Sequence, residues 1–395
     1  MIQEKIDQAI GILQEKNIDA WMTFGRETAT MRDPMLDFIA GMDFTWQTAL
    51  IITAKGDAIA IVGQYDVANL ETRGNYREII GYVESIREDL RRVLARLDPR
   101  QIAVNYSLSS PTADGLSAGM YMNLQEHLAG TPYRERLISA HEVIAALRGR
   151  KSPEELRRMK EATRITLEIF NMVTNFIRPG RTEREIADFV LREVENRGLE
   201  LAWDPDHCPA VFSGPGTAGA HATPTGRTVQ PGHLVNMDFG VKYEGYCADL
   251  QRTWYLLRPG ESAPPEEVQR GFTVLRAAID RTAAALQPGA LGKDMDHIAR
   301  QHLLDNGYAE FPHGLGHQVG REVHDGGGGL FPTWEKYGQT ALMPAEAGQV
   351  YTIEPRLTLE AYGIVTIEEE VVVQKAGGAM FLSEPQRELW VISGE

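Results

Sequence analysis

The sequence predicts an α/β domain over residues 1–150 followed by an α+β domain over residues 151–395 whose two halves repeat one pattern, a pseudo-twofold arrangement. Three observations predict it. Helical and β-type segments alternate through the first 150 residues, as in a layered α/β unit. A strong helix start at Ser152-Pro153 then marks a boundary. Beyond it, two blocks of similar length each run helix, helix, then Gly-rich strands, and each carries part of one set of acidic and histidine residues.

The N-terminal elements follow in order. Residues 4–16 have helical apolar spacing, and IDAWMTFG after them reads as a strand. TALIITA and AIAIVG are two further strands joined by a turn at Lys55-Gly56-Asp57. SIREDLRRVLARL and DGLSAGMYMNLQEHLAG are helices with the strand QIAVNYS between them. The segment GRETATMRDPMLDFIAGMDFTW, residues 25–46, places Gly, Pro and Asp beside exposed-looking aromatics and reads as a surface loop, with a lid over a neighbouring pocket as the alternative.

In the second domain Ser152 is a helix N-cap, Pro153 occupies the first helical position and Glu155 completes a capping box. That helix is predicted to reach Phe176, with Pro179-Gly180 ending it, and a second is capped by Thr182 and closed by Gly198. PEEVQRGFTVLRAAIDRTAAALQPG and KDMDHIARQHLLDNG repeat the helix pair.

A length of 395 residues suits two domains, and 43% apolar with 24% charged residues is ordinary for a globular protein. The net charge of −15 disfavours nucleic acid as a partner. The longest basic cluster, Arg148 to Lys151 with Arg157 and Arg158, reads as a solvated linker face. Two cysteines, Cys208 and Cys247, rule out a disulfide framework. The first residues lack the apolar run of a signal peptide, and no stretch of 18 uncharged apolar residues follows, so no membrane span and a cytoplasmic location are expected.

The functional signal lies in the order Asp238, Asp249, His317, Glu354, Glu368. Four carboxylates and one imidazole carry too much negative charge to share a pocket without cations, and hard oxygen ligands with one nitrogen suit a pair of divalent ions. In LVNMDFGVKYEGYCADLQRTW a four-residue loop over 242–245 would set Asp238 directly opposite Asp249, with Cβ atoms ~5 Å apart. In TIEPRLTLEAYGIVTIEEEVVV, Glu354 and Glu368 are symmetric about Ala361. Glu368, Glu369 and Glu370 also suit a charged edge strand, and the pattern alone does not choose the ligand among them. His313, His317 and His324 lie in HGLGHQVGREVHDGGGG, too Gly-rich for a helix, and His221 lies on a Gly/Pro-rich loop before Asp238.

The runs VNMDFGVKYEGYCADLQRTW, HGLGHQVGREVH, IEP and TIEEEV resemble the pita-bread metallopeptidases, and KSPEEL at a domain junction resembles their creatinase/prolidase/aminopeptidase P branch. The resemblance implies a creatinase-type N-terminal α/β domain and a pita-bread catalytic domain. It implies that Asp238 chelates one metal, that Asp249 and Glu368 bridge two, and that His317 and Glu354 hold the second. It selects Glu368 because the family's ligand follows an Ile, here Ile367. His221 and His324 would contact the scissile peptide, and His313 would lie near the residue after the cut. Two divalent ions make hydroxide available from a water bridging them near neutral pH, and Glu354 could pass its proton to the leaving amine.

The implied activity is hydrolysis of Xaa-Pro dipeptides, with an Xaa-Pro aminopeptidase on longer peptides as the near neighbour. A metal-free creatinase-like C–N hydrolase and a non-enzymatic binding module remain as other classes on this fold. Manganese is the first expectation for the metal, with cobalt, zinc or iron as alternatives. Two positions depart from the branch: Thr366 stands where an Arg is common, and Arg356 replaces the Gly that usually follows Glu-Pro. Arg356 is therefore expected to face the substrate from the paired strand. The resemblance also implies a homodimer in which the N-terminal domain reaches its partner's site, with the aromatic segment around Phe38 and Trp46 as the contact.

Overall fold

The computed structural model describes every residue except Ala218, Ala220, His221 and Glu395. The chain divides into two compact units, Met1–Arg148 and Gly149–Glu395. No helix among the described residues is long and apolar enough to cross a membrane.

The first unit is built on a mixed six-stranded sheet. In spatial order its strands are Glu78–Tyr82, Ala58–Gly63, Thr48–Thr53, Ala20–Gly25, Ile102–Val104 and Leu137–Ser139. Side-chain alternation feeds two cores, one on each face: Trp21, Leu50 and Ile52 join the helix Ile2–Glu15, whereas Met22, Phe24 and Ile51 join the helix Arg87–Leu97. The segment 25–46 is the expected surface loop only in part, exposed at 26–27 and 29–32. It contains a short helix, Leu36–Ile39, and its apolar residues Met35, Phe38 and Phe44 are buried. Only Trp46, 57% exposed, keeps the expected aromatic exposure there.

In the second unit the helix Pro153–Phe176 starts on a complete capping box: the Glu155 amide donates to Ser152 Oγ and the Ser152 amide donates to the Glu155 carboxylate. It pairs with the helix Glu183–Asn196, capped in the same way by Thr182 and Glu185. Their buried faces pack on strands Leu234–Phe239 and Leu250–Leu256. A second helix pair, Glu266–Ala285 and Gly292–Asp305, backs strands Val350–Ile353 and Glu369–Val373. Helix pair plus strands thus occurs twice. The two halves join through an isolated bridge between Gln251 and Glu368.

Three expectations need correction. First, the acidic hairpin closes on two residues, Glu244 and Gly245, both with positive φ. The register therefore sets Asp238 against Gln251, and Asp249 lies in a break before the strand Leu250–Leu256. Gly240 permits the close approach at the break, since a Cβ there would lie 1.7 Å from the Ala248 carbonyl oxygen. Second, Glu369 and Glu370 are on no exposed edge. Strand Glu369–Val373 runs between Val350–Ile353 and Ala379–Phe381. Glu369 points away from the site and pairs with Arg252 at 3.0 Å and Arg276 at 2.9 Å, all three buried. Third, the basic cluster is a solvated face only in part: Arg148 and Lys151 are buried, whereas Arg157 is exposed and, with the half-buried Arg158, pairs with Glu154 and Glu244.

Candidate metal centre

The hairpin Arg356–Leu359/Gly363–Thr366 is symmetric about Ala361, and the next pair outward from it, Ile353 with Glu369, keeps the same register. Glu354 and Glu368 therefore flank one position on facing chains, as the spacing predicts. Asp238, on a strand buried along its length, and Asp249, in the break beside it, approach from the other half. His317 comes from the two-residue strand Gly316–His317, extended as the glycines require. Gly316 is obligatory, because a Cβ would lie 2.0 Å from the Thr352 carbonyl oxygen.

These elements bring five ligand-type side chains together. One donor atom each from Asp249, His317 and Glu368 fits within 4.8 Å of the other two. His317 Nε2 is 3.6 Å from Asp249 Oδ2 and 3.3 Å from Glu354 Oε1. Asp238 and Asp249 meet side chain to side chain, so the out-of-register pairing still converges. His324 packs edge-on against His317 with ring centroids 4.2 Å apart. His313 lies four residues before His317, its Nδ1 2.8 Å from the Gly314 carbonyl oxygen, and together with His324 it acts electrostatically on Glu354. His221 lies outside the described residues.

The chemistry of this donor set fits divalent cations. Asp238, Asp249 and Glu368 are each held well above the usual carboxylate range, first by burial and then by neighbouring carboxylates. Glu354 behaves oppositely. Burial pushes it up, but the His317 hydrogen bond and the charges of His317, His313 and His324 more than offset this and leave it low. Asp238 Oδ1 and Glu368 Oε1 are buried without a hydrogen-bond partner among the described residues. Buried acceptors of this kind are costly unless a cation takes them.

Sequence reasoning missed the neutral residues that hold the cluster. Gln251 Nε2 donates to Glu368 Oε2 at 2.9 Å and lies 3.4 Å from Glu354 Oε2, tying the two glutamates together. Thr366 Oγ1 donates to Gln251 Oε1 at 2.8 Å and so fixes the amide's orientation. Thr352 Oγ1 accepts from the His317 amide and lies 3.4 Å from Glu354 Oε1. The available signal was spacing: Gln251 is two residues after Asp249, and Thr352 two before Glu354.

Burial also pushes the Glu370 carboxyl up to about 8, although it accepts bonds from Thr163 Oγ1 and the Asp249 amide. An unfolded Glu releases its proton near about 4.3. Between that value and about 8 the folded chain holds a proton that the unfolded chain has lost, so stability falls as pH rises through the window and levels off above it. Asp238, Asp249 and Glu368 add to the same trend. Chelator-treated protein should therefore lose melting temperature steadily from about pH 5 to pH 8, whereas metal-loaded protein should change less. A melting temperature of chelated protein that is flat or rising over that window would contradict this account of the charges.

Comparison with known proteins agrees with the geometry. A sequence model of metallopeptidase family M24 matches residues 157–375, more than half of the chain. An uncharacterized peptidase of Staphylococcus saprophyticus is 28% identical over 331 residues, covering 83% of this chain and 86% of its own. The structure of an Xaa-Pro dipeptidase from Bacillus anthracis superposes with a TM-score of 0.74 at 22% identity, covering 99% of this chain and 100% of that one. An X-Pro aminopeptidase from Thermotoga maritima gives a TM-score of 0.71 at 23% identity, covering 98% and 99%. At these identities the two structures establish a shared fold, the two-domain architecture with a pita-bread domain.

Proposed function

The chain belongs to metallopeptidase family M24 and is a metal-dependent peptidase, and from that premise we propose that it is a dinuclear enzyme cleaving Xaa-Pro dipeptides. The observation that carries the reading is the convergence of Asp238, Asp249, His317, Glu354 and Glu368, with two buried carboxylate oxygens there, Asp238 Oδ1 and Glu368 Oε1, lacking a hydrogen-bond partner among the described residues. Asp238, Asp249, His317, Glu354 and Glu368 would together hold the divalent ions. Manganese is proposed first, since oxygen-rich sites with one imidazole favour hard to borderline ions. When bound, the ions polarise the scissile carbonyl and lower the pKa of the attacking water.

The chain's own residues do the rest. Glu354, kept ionised by its histidine neighbours, accepts the proton from the attacking water and returns it to the leaving amine. Gln251 holds Glu354 and Glu368 at a fixed separation throughout. His324, against His317, donates to the oxyanion, a role it shares with His221. His313 and Arg356 face the part of the peptide beyond the cut. The unit Gly149–Glu395 is then the catalytic domain and Met1–Arg148 a creatinase-type N-terminal domain. We place the enzyme in the cytoplasm as a homodimer, with exposed Trp46 as the N-terminal residue offered to the partner.

The Bacillus anthracis protein is an Xaa-Pro dipeptidase and the Thermotoga maritima protein an X-Pro aminopeptidase, so the fold serves either activity. A kinetic comparison of Ala-Pro, Ala-Pro-Ala, Ala-Ala and Ala-Ala-Ala in added manganese decides between them. The dipeptidase reading expects kcat/KM for Ala-Pro at least about tenfold above that for Ala-Pro-Ala, a difference of ~1.4 kcal/mol. Faster turnover of the tripeptide would move the assignment to an aminopeptidase, and no preference for proline would remove the Xaa-Pro class.

A further inference from the structure

Arg356 is a cation with no assigned counter-charge. It is half-buried, yet it makes no ion pair or hydrogen bond among the described residues. A guanidinium taken partly out of water ordinarily finds a carboxylate or carbonyls, because five donors are costly to leave unmatched. This chain has 55 acidic residues against 40 Lys and Arg, so partners are not scarce. Arg252, Arg276 and Arg300, the other buried arginines of this unit, each pair with a carboxylate.

Its place in the fold is defined on two sides. Arg356 opposes Thr366 in the antiparallel pair, and Thr366 holds Gln251, which holds Glu354 and Glu368. The arginine is thus one strand pairing and two side chains, Thr366 and Gln251, away from the glutamates of the metal centre, and two residues after Glu354. On the other side the guanidinium lies against the main chain of Gly219, where a Cβ would come within 2.6 Å of Nη1. Gly219 also has φ +92°, a conformation that side chains rarely adopt, so glycine both permits the turn and leaves room for the guanidinium.

We propose that Arg356 is the receptor for the free α-carboxylate of a short peptide substrate. This deepens the proposed function and rests on it. The planar fork of a guanidinium matches a carboxylate through two parallel hydrogen bonds, which an ammonium cannot reproduce. The one anion that every short peptide carries is its terminal carboxylate. In a dipeptide that group follows the scissile nitrogen within a single residue, two bonds or about 3 Å of chain. A receptor beside the catalytic carboxylates therefore favours peptides that end just after the cut. An acidic side chain at that residue is the other source of the same chemistry.

The test compares wild type, Arg356→Met and Arg356→Lys on three substrates: Ala-Pro with a free carboxylate, Ala-Pro amide, and an Ala-Glu amide. In wild type the free acid should be preferred to Ala-Pro amide. Arg356→Met should reduce that acid-to-amide ratio of kcat/KM about ten- to hundredfold, mainly through KM, as expected for loss of a charged hydrogen bond. Arg356→Lys should retain part of the ratio. Metal content and melting temperature of both variants show whether the fold is intact. An acid-to-amide ratio unchanged by both substitutions overturns the assignment while leaving the peptidase reading standing. A ratio that stays fixed while only Ala-Glu amide suffers overturns the terminal carboxylate in favour of the side chain. A wild type inactive on every peptide with metal bound overturns the proposed function, and this inference with it.

Discussion

Asp249→Asn should abolish peptide hydrolysis, lowering kcat/KM by at least about 10³-fold, or ~4 kcal/mol of transition-state stabilisation. The carboxylate lies within reach of His317 and Glu368, so under the proposed assignment its loss removes a ligand from the centre of the donor set. A neutral amide also cannot balance dipositive charge. The substitution has a second consequence of opposite sign. Without metal, Asp249 is one of four carboxylates in a buried cluster, and neighbouring charge together with burial opposes its ionisation. The metal-free variant should therefore be as stable as metal-free wild type, or more so, while the gain in melting temperature on adding manganese shrinks. Metal analysis, kinetics and melting curves on the same preparations check all three. A variant that keeps full metal content and activity would remove Asp249 from the site.

Glu369→Ala should destabilise the second unit by about 3–5 kcal/mol, the cost of leaving buried charge uncompensated. The Glu369 carboxylate answers Arg252 and Arg276 and also accepts the Gln386 amide at 2.8 Å. Its removal leaves the buried Arg252 guanidinium without its anion and Arg276 with Asp280 alone. Arg252 also donates to the backbone carbonyl of Glu368 at 2.9 Å, so this ionic group props the chain that carries a proposed metal ligand. Chemical denaturation should show the loss in full, and Glu369→Gln, which keeps the hydrogen-bonding shape, should cost less. A change below about 1 kcal/mol for Glu369→Ala would mean that the arginines find other partners.

Glu369 also marks where sequence reading stops. Strand alternation correctly separates it from Glu368 and Glu370, because a period of two is a local property. Its burial depends on Arg276, 93 residues earlier on a helix, which no local pattern reveals. Residues governed by local chemistry were legible in the same way: the capping boxes at Ser152 and Thr182, and the hairpin centred on Ala361. The acidic hairpin was misread by two residues because its turn is the positive-φ pair Glu244-Gly245 rather than a four-residue loop. Asp238 and Asp249 still meet, since Gly240 lets the chain bend where a regular ladder would have kept them apart. Gln251 and Thr352 were overlooked because neutral residues announce no charge problem, and their task appears only once the carboxylates are placed around them.

The most direct test is a titration of divalent manganese into chelated enzyme, with bound metal per chain and Ala-Pro hydrolysis measured on the same samples. Two equivalents should bind, activity should rise with them, and Asp249→Asn should lose both. Full hydrolysis of Ala-Pro by protein carrying no metal would contradict the account.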